Sequence, residues 1–350
     1  MKIVTVNASK CYDIMIGPGL LATIGSEALS LGKATRVCVV SDSQVFPLYG
    51  DMVCESLKNA GFSLTTYVFP AGESSKNGMV LLDLLNHLAT MQLTRTDLIV
   101  ALGGGVVGDL AGFAAAVYLR GIRFIQVPTT LLAAVDSSVG GKTAIDLPAG
   151  KNLAGAFYQP SLVLCDTDTL TSLPEDIFRD GCAEVIKYGV LYDPQLFASL
   201  KETGPAFDRE AVIQRCVQWK RDVVMADEFD TGARMKLNLG HTIGHGVEAS
   251  SHFAISHGKA VAIGMAIVAR SCASSGFCSP EVAAEVEEVL RIFGLPTTTE
   301  FPAKELYTYT LSDKKRTGGT VSLILPKAIG HCAIVPTPVE QLESFIKAGL

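Results

Sequence analysis

Charged residues are scarce in this 350-residue chain: Asp, Glu, Lys and Arg together make up 18%, against about 25% in an average soluble domain. The charges present show no basic excess. The net charge is −6 and the Lys and Arg residues are dispersed, which argues against a nucleic-acid partner. Long apolar runs are also missing. The start, MKIVTVNASK, has no apolar h-region, so a secretory signal is not expected. The run Phe113–Leu119 is too short to cross a bilayer and is flanked by Asp109 and Arg120, so no membrane partner is expected. The nine cysteines are odd in number and form no C-x-x-C motif. They read as reduced, mostly buried thiols of a cytoplasmic protein. Internal repeats and low-complexity tracts are absent. What is abundant is apolar material, 48% of residues. That suffices for a large core, with apolar surface left to bury between subunits.

The first half alternates strand-like and helix-like patterns. Strand-like runs are Arg36–Ser41, Ser63–Phe69, Asp97–Leu102, Arg123–Val127 and Leu162–Cys165. Helix-like stretches are Ser43–Ala60, Ser75–Met91 and Val106–Val117. This alternation predicts a parallel sheet wrapped by helices, and near-continuous apolar strands such as DLIVAL predict that both faces are covered. After Pro174 helical patterns dominate: Glu175–Leu191, Asp208–Ala226, His241–Glu248, His257–Ser275 and Pro280–Phe293. Thr320–Leu325 and His331–Val335 then read as a hairpin. The fold class is an α/β N-terminal domain with a parallel, Rossmann-like sheet (residues 1–174), followed by a mainly α-helical C-terminal domain (residues 175–350).

After DLIVAL, Gly103, Gly105 and Gly108 satisfy G-x-G-x-x-G between a strand and a helix. Glycines there let backbone N–H groups approach a pyrophosphate, and the helix N-terminus adds partial positive charge. The loop follows a late strand, however, and no acidic residue ends a strand about 20 residues on, as the usual dinucleotide fingerprint requires. Asp42, after the strand RVCVVS, is either a ribose ligand or a helix cap. Pro70–Lys76 and Pro128–Thr130 place further polar groups at the carboxyl ends of strands, where ligands bind in open α/β sheets.

Four of the six histidines, His241, His245, His252 and His257, fall in one short window. Imidazoles suit zinc and other divalent transition metals. His241 and His245 are spaced i, i+4 and share a helix face, so spacing favours that pair, although it does not by itself select the ligands. Glu184 sits in an apolar helical stretch, where a lone carboxylate is costly and calls for a cation. The bland alternative is a pair of capping histidines and a Glu184–Lys187 surface pair. Lys142 and Lys151 in Gly-rich contexts, with Lys187, Lys220, Arg221, Arg234, Lys314, Lys315 and Arg316, suggest a substrate bearing phosphate and carboxylate groups.

Taken in order, PAGESSK (70–76), ALGGGVVGDLAGFAAAVYLRG (101–121), QVPTTLLAAVDSSVGGKTAI (126–145), GKNLAGAFYQP (150–160), AEVIKYG (183–189), LNLGHTIGHGVEA (237–249) and HGKAVAIGM (257–265) resemble the 3-dehydroquinate synthase family of sugar phosphate cyclases over essentially the whole chain. The resemblance implies a dehydroquinate synthase-like fold. It implies conversion of 3-deoxy-D-arabino-heptulosonate 7-phosphate to 3-dehydroquinate and phosphate, with transient NAD oxidation, phosphate elimination, reduction and internal aldol closure. It implies one zinc or cobalt ion on Glu184, His241 and His257, which moves His245 from the metal to the substrate phosphate. NAD would be held by Asp42, Glu73, Lys76, the loop Gly104, Gly105, Val106, Val107, Gly108 and Asp109, by Thr129, Thr130, Lys142 and Lys151, and by Thr169, Leu170, Thr171 and Ser172. The substrate pocket would comprise Asp136, Lys142, Asn152, Lys187, Lys220, Arg234, Asn238, His245 and Lys315, with Arg120 donated across a homodimer interface. Two departures from the family pattern stand out. Asp146-Leu147-Pro148 replaces an Asn-His-Pro run, and Lys259 replaces the Glu two residues after His257. Another sugar phosphate cyclase, a metal-dependent polyol dehydrogenase and a non-enzymatic NAD-binding protein are the alternatives.

Overall fold

The computed structural model describes residues 1–310, 316–317 and 319–350. The first half of the chain builds strands β1 (Lys2–Asn7), β2 (Cys11–Gly17), β3 (Arg36–Asp42), β4 (Ser63–Phe69), β5 (Leu98–Gly103), β6 (Arg123–Pro128), β7 (Lys142–Leu147), β8 (Gly150–Phe157) and β9 (Leu162–Asp166). Between them lie helices α1 (Ile24–Ser30), α2 (Phe46–Asn59), α3 (Gly78–Thr90) and α4 (Gly105–Val117). The remainder forms α5 (Glu175–Tyr192), α6 (Pro194–Thr203), α7 (Arg209–Ala226), α8 (His241–Ser250), α9 (His257–Ser274), α10 (Pro280–Ile292), α11 (Ala303–Thr310), β10 (Arg316–Thr317), β11 (Thr320–Ala328), β12 (His331–Pro338) and α12 (Val339–Gly349).

Seven strands form one sheet in the order β1-β2-β9-β6-β5-β3-β4, with only the β1–β2 pair antiparallel. Side chains alternate across its plane. Val37, Val39, Val100, Leu102 and Ile125 pack against Ile24 of α1 and Val53 and Leu57 of α2. Their neighbours Cys38, Val40, Ile99, Ala101 and Phe124 pack on the other face, against Leu84 and Leu88 of α3 and Val107, Leu110 and Ala111 of α4. Helices on both faces explain why β5 is apolar at every position. They also place α2 and α4, which follow the adjacent strands β3 and β5, on opposite faces. The carboxyl ends of β3 and β5 therefore flank a topological switch point, where open α/β sheets bind ligands. That accounts for a glycine loop on a late strand: sheet order, not chain order, makes β5 central.

Chain contacts divide the molecule into two compact units, Met1–Pro174 with Arg209–Phe229, and Glu175–Asp208 with Asp230–Leu350. This departs from an uninterrupted 175–350 domain. The segment Arg209–Phe229 packs with the first unit because α7 lies on β1, β2 and the turn Ala133–Ser137, and Glu228 accepts bonds from the Ser9 amide at 2.8 Å and from Gln159 Nε2 at 2.8 Å. The N-terminal hairpin β1–β2, the hairpin β7–β8 and helices α6, α11 and α12 lie outside the elements read from the sequence. The late hairpin is present as β11–β12. Among the described residues no helix is long and apolar enough to cross a membrane.

Buried Asp97 ties the start of β3 to the turn before β5. It accepts bonds from the amides of Thr94, Thr35 and Arg36 at 2.7, 3.0 and 2.8 Å and from the Thr94 hydroxyl at 2.8 Å. Burial alone would raise its pKa, but these donors outweigh it and hold the group at about 2. A carboxylate depressed in the folded state stabilises above its unfolded pKa, and that contribution disappears as pH falls through the folded value. Asp97→Asn is expected to cost about 2 kcal/mol at neutral pH. It is also expected to flatten the loss of stability between pH 4 and 2, read by thermal melts across that range.

Candidate active site

In the first unit, residues singled out from the sequence gather along the carboxyl edge of the sheet. Asp42 ends β3, and its Oδ1 accepts the amides of Gln44 and Val45 at 2.9 Å each, so its carboxylate caps the turn into α2. Asp42 thus braces the turn between β3 and α2, while Val45, the residue just before α2, has no side-chain bond to the helix start. Gly104 precedes α4, whose first turn is Gly105-Val106-Val107-Gly108. The backbone here is closed in tightly. A Cβ on Gly108 would lie 2.6 Å from Gln126 Oε1, and one on Gly104 would lie 3.0 Å from Thr130 Cγ2. Thr129 donates its amide to Gly103 O at 3.0 Å, while its buried hydroxyl makes no hydrogen bond among the described residues. A helix N-terminus, glycines that leave its amides open and an orphaned buried hydroxyl fit a phosphate-bearing ligand.

Lys76 is the hub of this edge. Its Nζ lies 2.6 Å from Asp109 and 3.8 Å from Glu73 and bonds Asn152 Oδ1. Burial alone would lower its pKa, but Asp109 and Glu73 hold it above the ordinary lysine value. Asn152 reaches Lys76 from the tip of the β7–β8 hairpin in a left-handed conformation, φ 54°, a cost that such positions bear at functional sites. Asp146 fixes that tip: its Oδ1 accepts the Asn152 amide at 2.7 Å, and its own amide donates to Lys76 O at 2.8 Å. The Asp146 departure is thus a hairpin clasp. Lys142 and Lys151 lie on the two strands of the same hairpin.

Asp136 sits in the π-helical turn Ala133–Ser137, a geometry frequent at functional sites. Buried Lys220 from α7 bonds its Oδ1 at 2.8 Å and its carbonyl at 2.5 Å. Thr169, Thr171 and Ser172 use their hydroxyls within the turn after β9, on the carbonyls of Asp166, Asp168 and Thr169, and buried Leu170 packs beneath. Arg120 is exposed at the far end of α4, about 20 Å of helix rise from the glycine loop. It and Leu119 both have positive φ, 67° and 51°.

In the second unit, α5 buries Glu184 and Lys187 as an ion pair, each 1% exposed. This pair belongs to the core, not to the surface. Two imidazoles converge on the same carboxylate: His241 Nε2 is 3.4 Å and His257 Nε2 3.3 Å from Glu184 Oε1. Each ring is held by its other nitrogen, His241 Nδ1 against Leu239 O at 3.1 Å and His257 Nδ1 against Glu248 Oε2 at 3.5 Å. Close helix packing makes the convergence. A Cβ on Gly264 of α9 would lie 2.0 Å from Gly240 O, and one on Gly258 would lie 1.9 Å from Asp180 O of α5. Gly240 itself has φ 77°, which admits the turn into α8 without strain. Asp180 Oδ1 accepts Ser256 Oγ at 2.5 Å and the Lys259 amide at 3.0 Å, capping α9 from α5. His245 is exposed, its ring 5.6 Å from that of His241 and 6.3 Å from that of His257. Spacing on one helix had favoured His241 with His245, but the carboxylate gathers His241 with His257. Buried Arg234 and half-buried Asn238 lie in the turn Ala233–Asn238. Lys314 and Lys315 lie outside the described residues.

One ligand atom from each of Glu184, His241 and His257 falls within 4.8 Å of the others. Two imidazoles and a carboxylate with their outer partners in place are a fitting donor set for a divalent transition metal. Sequence reading missed Glu248, Asp180 and the clasp role of Asp146. Glu248 was legible as the residue two turns after His241 on one helix face, whereas Asp180 acts through space and carried no signal.

The sequence profile of the 3-dehydroquinate synthase N-terminal family matches residues 66–180, and that of its C-terminal family matches residues 181–316. The chain belongs to the 3-dehydroquinate synthase family. A 3-dehydroquinate synthase of Pelobacter propionicus is 46% identical over 351 residues, covering 98% of each chain. Among solved structures, a 2-deoxy-scyllo-inosose synthase with carbaglucose-6-phosphate, NAD+ and Co2+ aligns at TM-score 0.90 and 25% identity over 100% of both chains. The 2-epi-5-epi-valiolone synthase of Streptomyces hygroscopicus, with NAD+ and Zn2+, aligns at TM-score 0.89 and 25% identity over 100% of this chain and 98% of that one. The dehydroquinate synthase-like fold is thus shared with cyclases of other phosphosugars.

Burial disfavours a protonated His257, but its bonds to Glu184 and Glu248 outweigh this and raise its pKa to about 10. The metal-free site therefore holds that proton at neutral pH. A cation taking Nε2 must displace it, so affinity should rise about tenfold per pH unit between pH 6.5 and 8.5. Zinc titrations in buffers of differing ionisation enthalpy should show about one proton released per ion.

Proposed function

We propose that this chain is a 3-dehydroquinate synthase, a carbon–oxygen lyase that converts 3-deoxy-D-arabino-heptulosonate 7-phosphate into 3-dehydroquinate and inorganic phosphate in the cytoplasm. The observation that carries the reading is the gathering of Glu184, His241 and His257 around one point, in a member of the dehydroquinate synthase family. When bound, NAD accepts and returns a hydride, and a divalent cation supplies Lewis acidity toward substrate hydroxyls.

The chain's own residues supply binding, orientation and charge. Glu184, His241 and His257 hold the cation. The α4 amides receive the NAD pyrophosphate, with Glu73, Lys76, Asp109, Thr129, Thr130 and Lys151 around it and Asp42 and Thr169–Ser172 at its margins. Lys142, Asn152 and His245 hold the substrate phosphate, together with Lys315 and a partner subunit's arginine at position 120. Asp136, Lys187, Lys220, Arg234 and Asn238 orient the carboxylate and hydroxyls. Such charge placement suits a reaction whose steps need little from the protein beyond positioning and stabilisation of developing charge. Lys76 and Lys220 support this reading, because each is buried beside a carboxylate, Asp109 and Asp136 respectively.

Incubation of the zinc-loaded protein with the heptulosonate phosphate and NAD is expected to release phosphate stoichiometrically with 3-dehydroquinate and no net NADH. Accumulating NADH would mark a polyol dehydrogenase instead. His245→Ala is expected to keep its metal and lose at least about 100-fold in kcat/KM, whereas Glu184→Ala loses metal and turnover together.

The homodimer reading comes from the family resemblance, which gives Arg120 to the partner's site, and Arg120 is exposed in this chain. Arg120→Ala and His245→Ala are each expected to be inactive alone. Mixed and reassembled in equal amounts, they should recover about a quarter of wild-type activity, because half of the subunits pair across types and each such pair has one intact site. No recovery would remove the shared site.

A further inference from the structure

We propose that Glu248 is a positioning residue, holding the Nδ1–H of His257 so that the Nε2 lone pair faces the cation held by Glu184 and His241. The inference rests on the metal-centre reading of those three residues and adds a residue to it. An imidazole has two nitrogens, and in the neutral ring one carries the proton while the other offers the lone pair. At His241 that choice is made by a backbone carbonyl, Leu239 O, 3.1 Å from Nδ1. At His257 the only nitrogen left toward Glu184 is Nε2, 3.3 Å away, because Nδ1 faces Glu248 Oε2 at 3.5 Å. The two rings therefore present the same nitrogen to one carboxylate by two different devices.

His257 needs the stronger one. It is the first residue of α9, and its side chain is 32% exposed, against 11% for His241, so packing restrains its ring less. Glu248 can supply that restraint. Its side chain is 4% exposed, and it lies seven residues after His241, two turns along the same face of α8. A carboxylate so deeply buried is costly unless it serves a partner. Carboxylate–histidine–metal relays orient the ring and raise its basicity.

A rival arrangement uses the same atoms. His245, Glu248 and His257 also bring one ligand atom each within 4.8 Å, which would make Glu248 a ligand. Glu248 meets His257 at Nδ1, and a neutral imidazole that presents Nε2 to a cation keeps its proton on Nδ1. The set around Glu184 has two rings already oriented by outer partners, so Glu248 stands behind the His257 ring rather than on the cation.

The test uses the full chain, stripped of metal and reloaded with Co2+, as wild type, Glu248→Ala and Glu248→Gln. Metal affinity is measured by chelator competition, stoichiometry by elemental analysis, and ligand geometry by the visible Co2+ bands. The alanine variant is expected to bind one ion about 10–100-fold more weakly, with shifted bands and a metal-free melting temperature near that of wild type. Glutamine, whose amide oxygen accepts the same proton, is expected to restore affinity to within about threefold. Wild-type affinity and bands in the alanine variant would overturn the proposal. So would a second bound ion in the wild type that the alanine variant loses. A wild type that binds no Co2+ would instead overturn the metal centre itself. Nitrogen-15 NMR of the zinc-loaded wild type, which does not depend on any variant folding, should show His257 protonated at Nδ1. The opposite tautomer would refute the assignment.

Discussion

The second unit is organised around one unfavourable act, the burial of the Glu184 carboxylate in the apolar helix α5. A charge there is tolerable only with compensation. Lys187 supplies part of it from the next turn, and His241 and His257 arrive from two other helices. The requirement propagates outward. For His257 to reach Glu184, α9 must press against α5 and α8, which Gly258 and Gly264 permit. For α9 to begin where it does, its first amides need an acceptor, and Asp180 provides it from α5. The helix that carries the carboxylate thus also caps the helix that carries one of its partners.

The first unit answers a different constraint. Its sheet is covered on both faces, so ligand-binding groups have nowhere to go but the ends of the strands. The switch point falls between β3 and β5, where open α/β sheets bind ligands. The glycine loop, Thr129, Asp42 and Lys76 occupy the same edge for that topological reason. The hairpin β7–β8, clasped by Asp146 and tied to Lys76 through Asn152, adds lysines to that edge from a segment outside the main sheet. Aspartate at position 146 does this by accepting the Asn152 N–H and donating its own amide to Lys76.

Much of this was legible from periodicity. The strands RVCVVS, DLIVAL and RFIQV and the long helices after Pro174 all form where apolar patterning puts them, because local hydrophobic period and burial agree. Less was legible where an element depends on a partner distant in sequence. The polar-alternating β1–β2 hairpin closes one edge of the sheet by pairing with β9, and nothing local announces that. Helix α7 and the residues just after it belong to the first unit through Lys220–Asp136 and Glu228–Ser9, contacts spanning 84 and 219 positions. The pattern of the helix shows that it is amphipathic, not which body it will bury against.

The same division holds at the site. Sequence alone determined the donor types: a carboxylate in an apolar helix, four clustered histidines, a glycine loop between strand and helix, and lysines in glycine-rich surroundings. Residue type follows from the chemistry a side chain can perform, and that is written locally. Only the tertiary structure decided the groupings. It set His241 and His257, the pair that the family resemblance names and helix spacing alone does not select, at 3.4 and 3.3 Å from one Glu184 oxygen, put Glu248 beside His257 and bound Asp42 into the turn before α2. Spacing on one helix fixes which residues share a face, but distances between atoms on different helices follow from how closely the backbones pack, and here a few glycines set that distance.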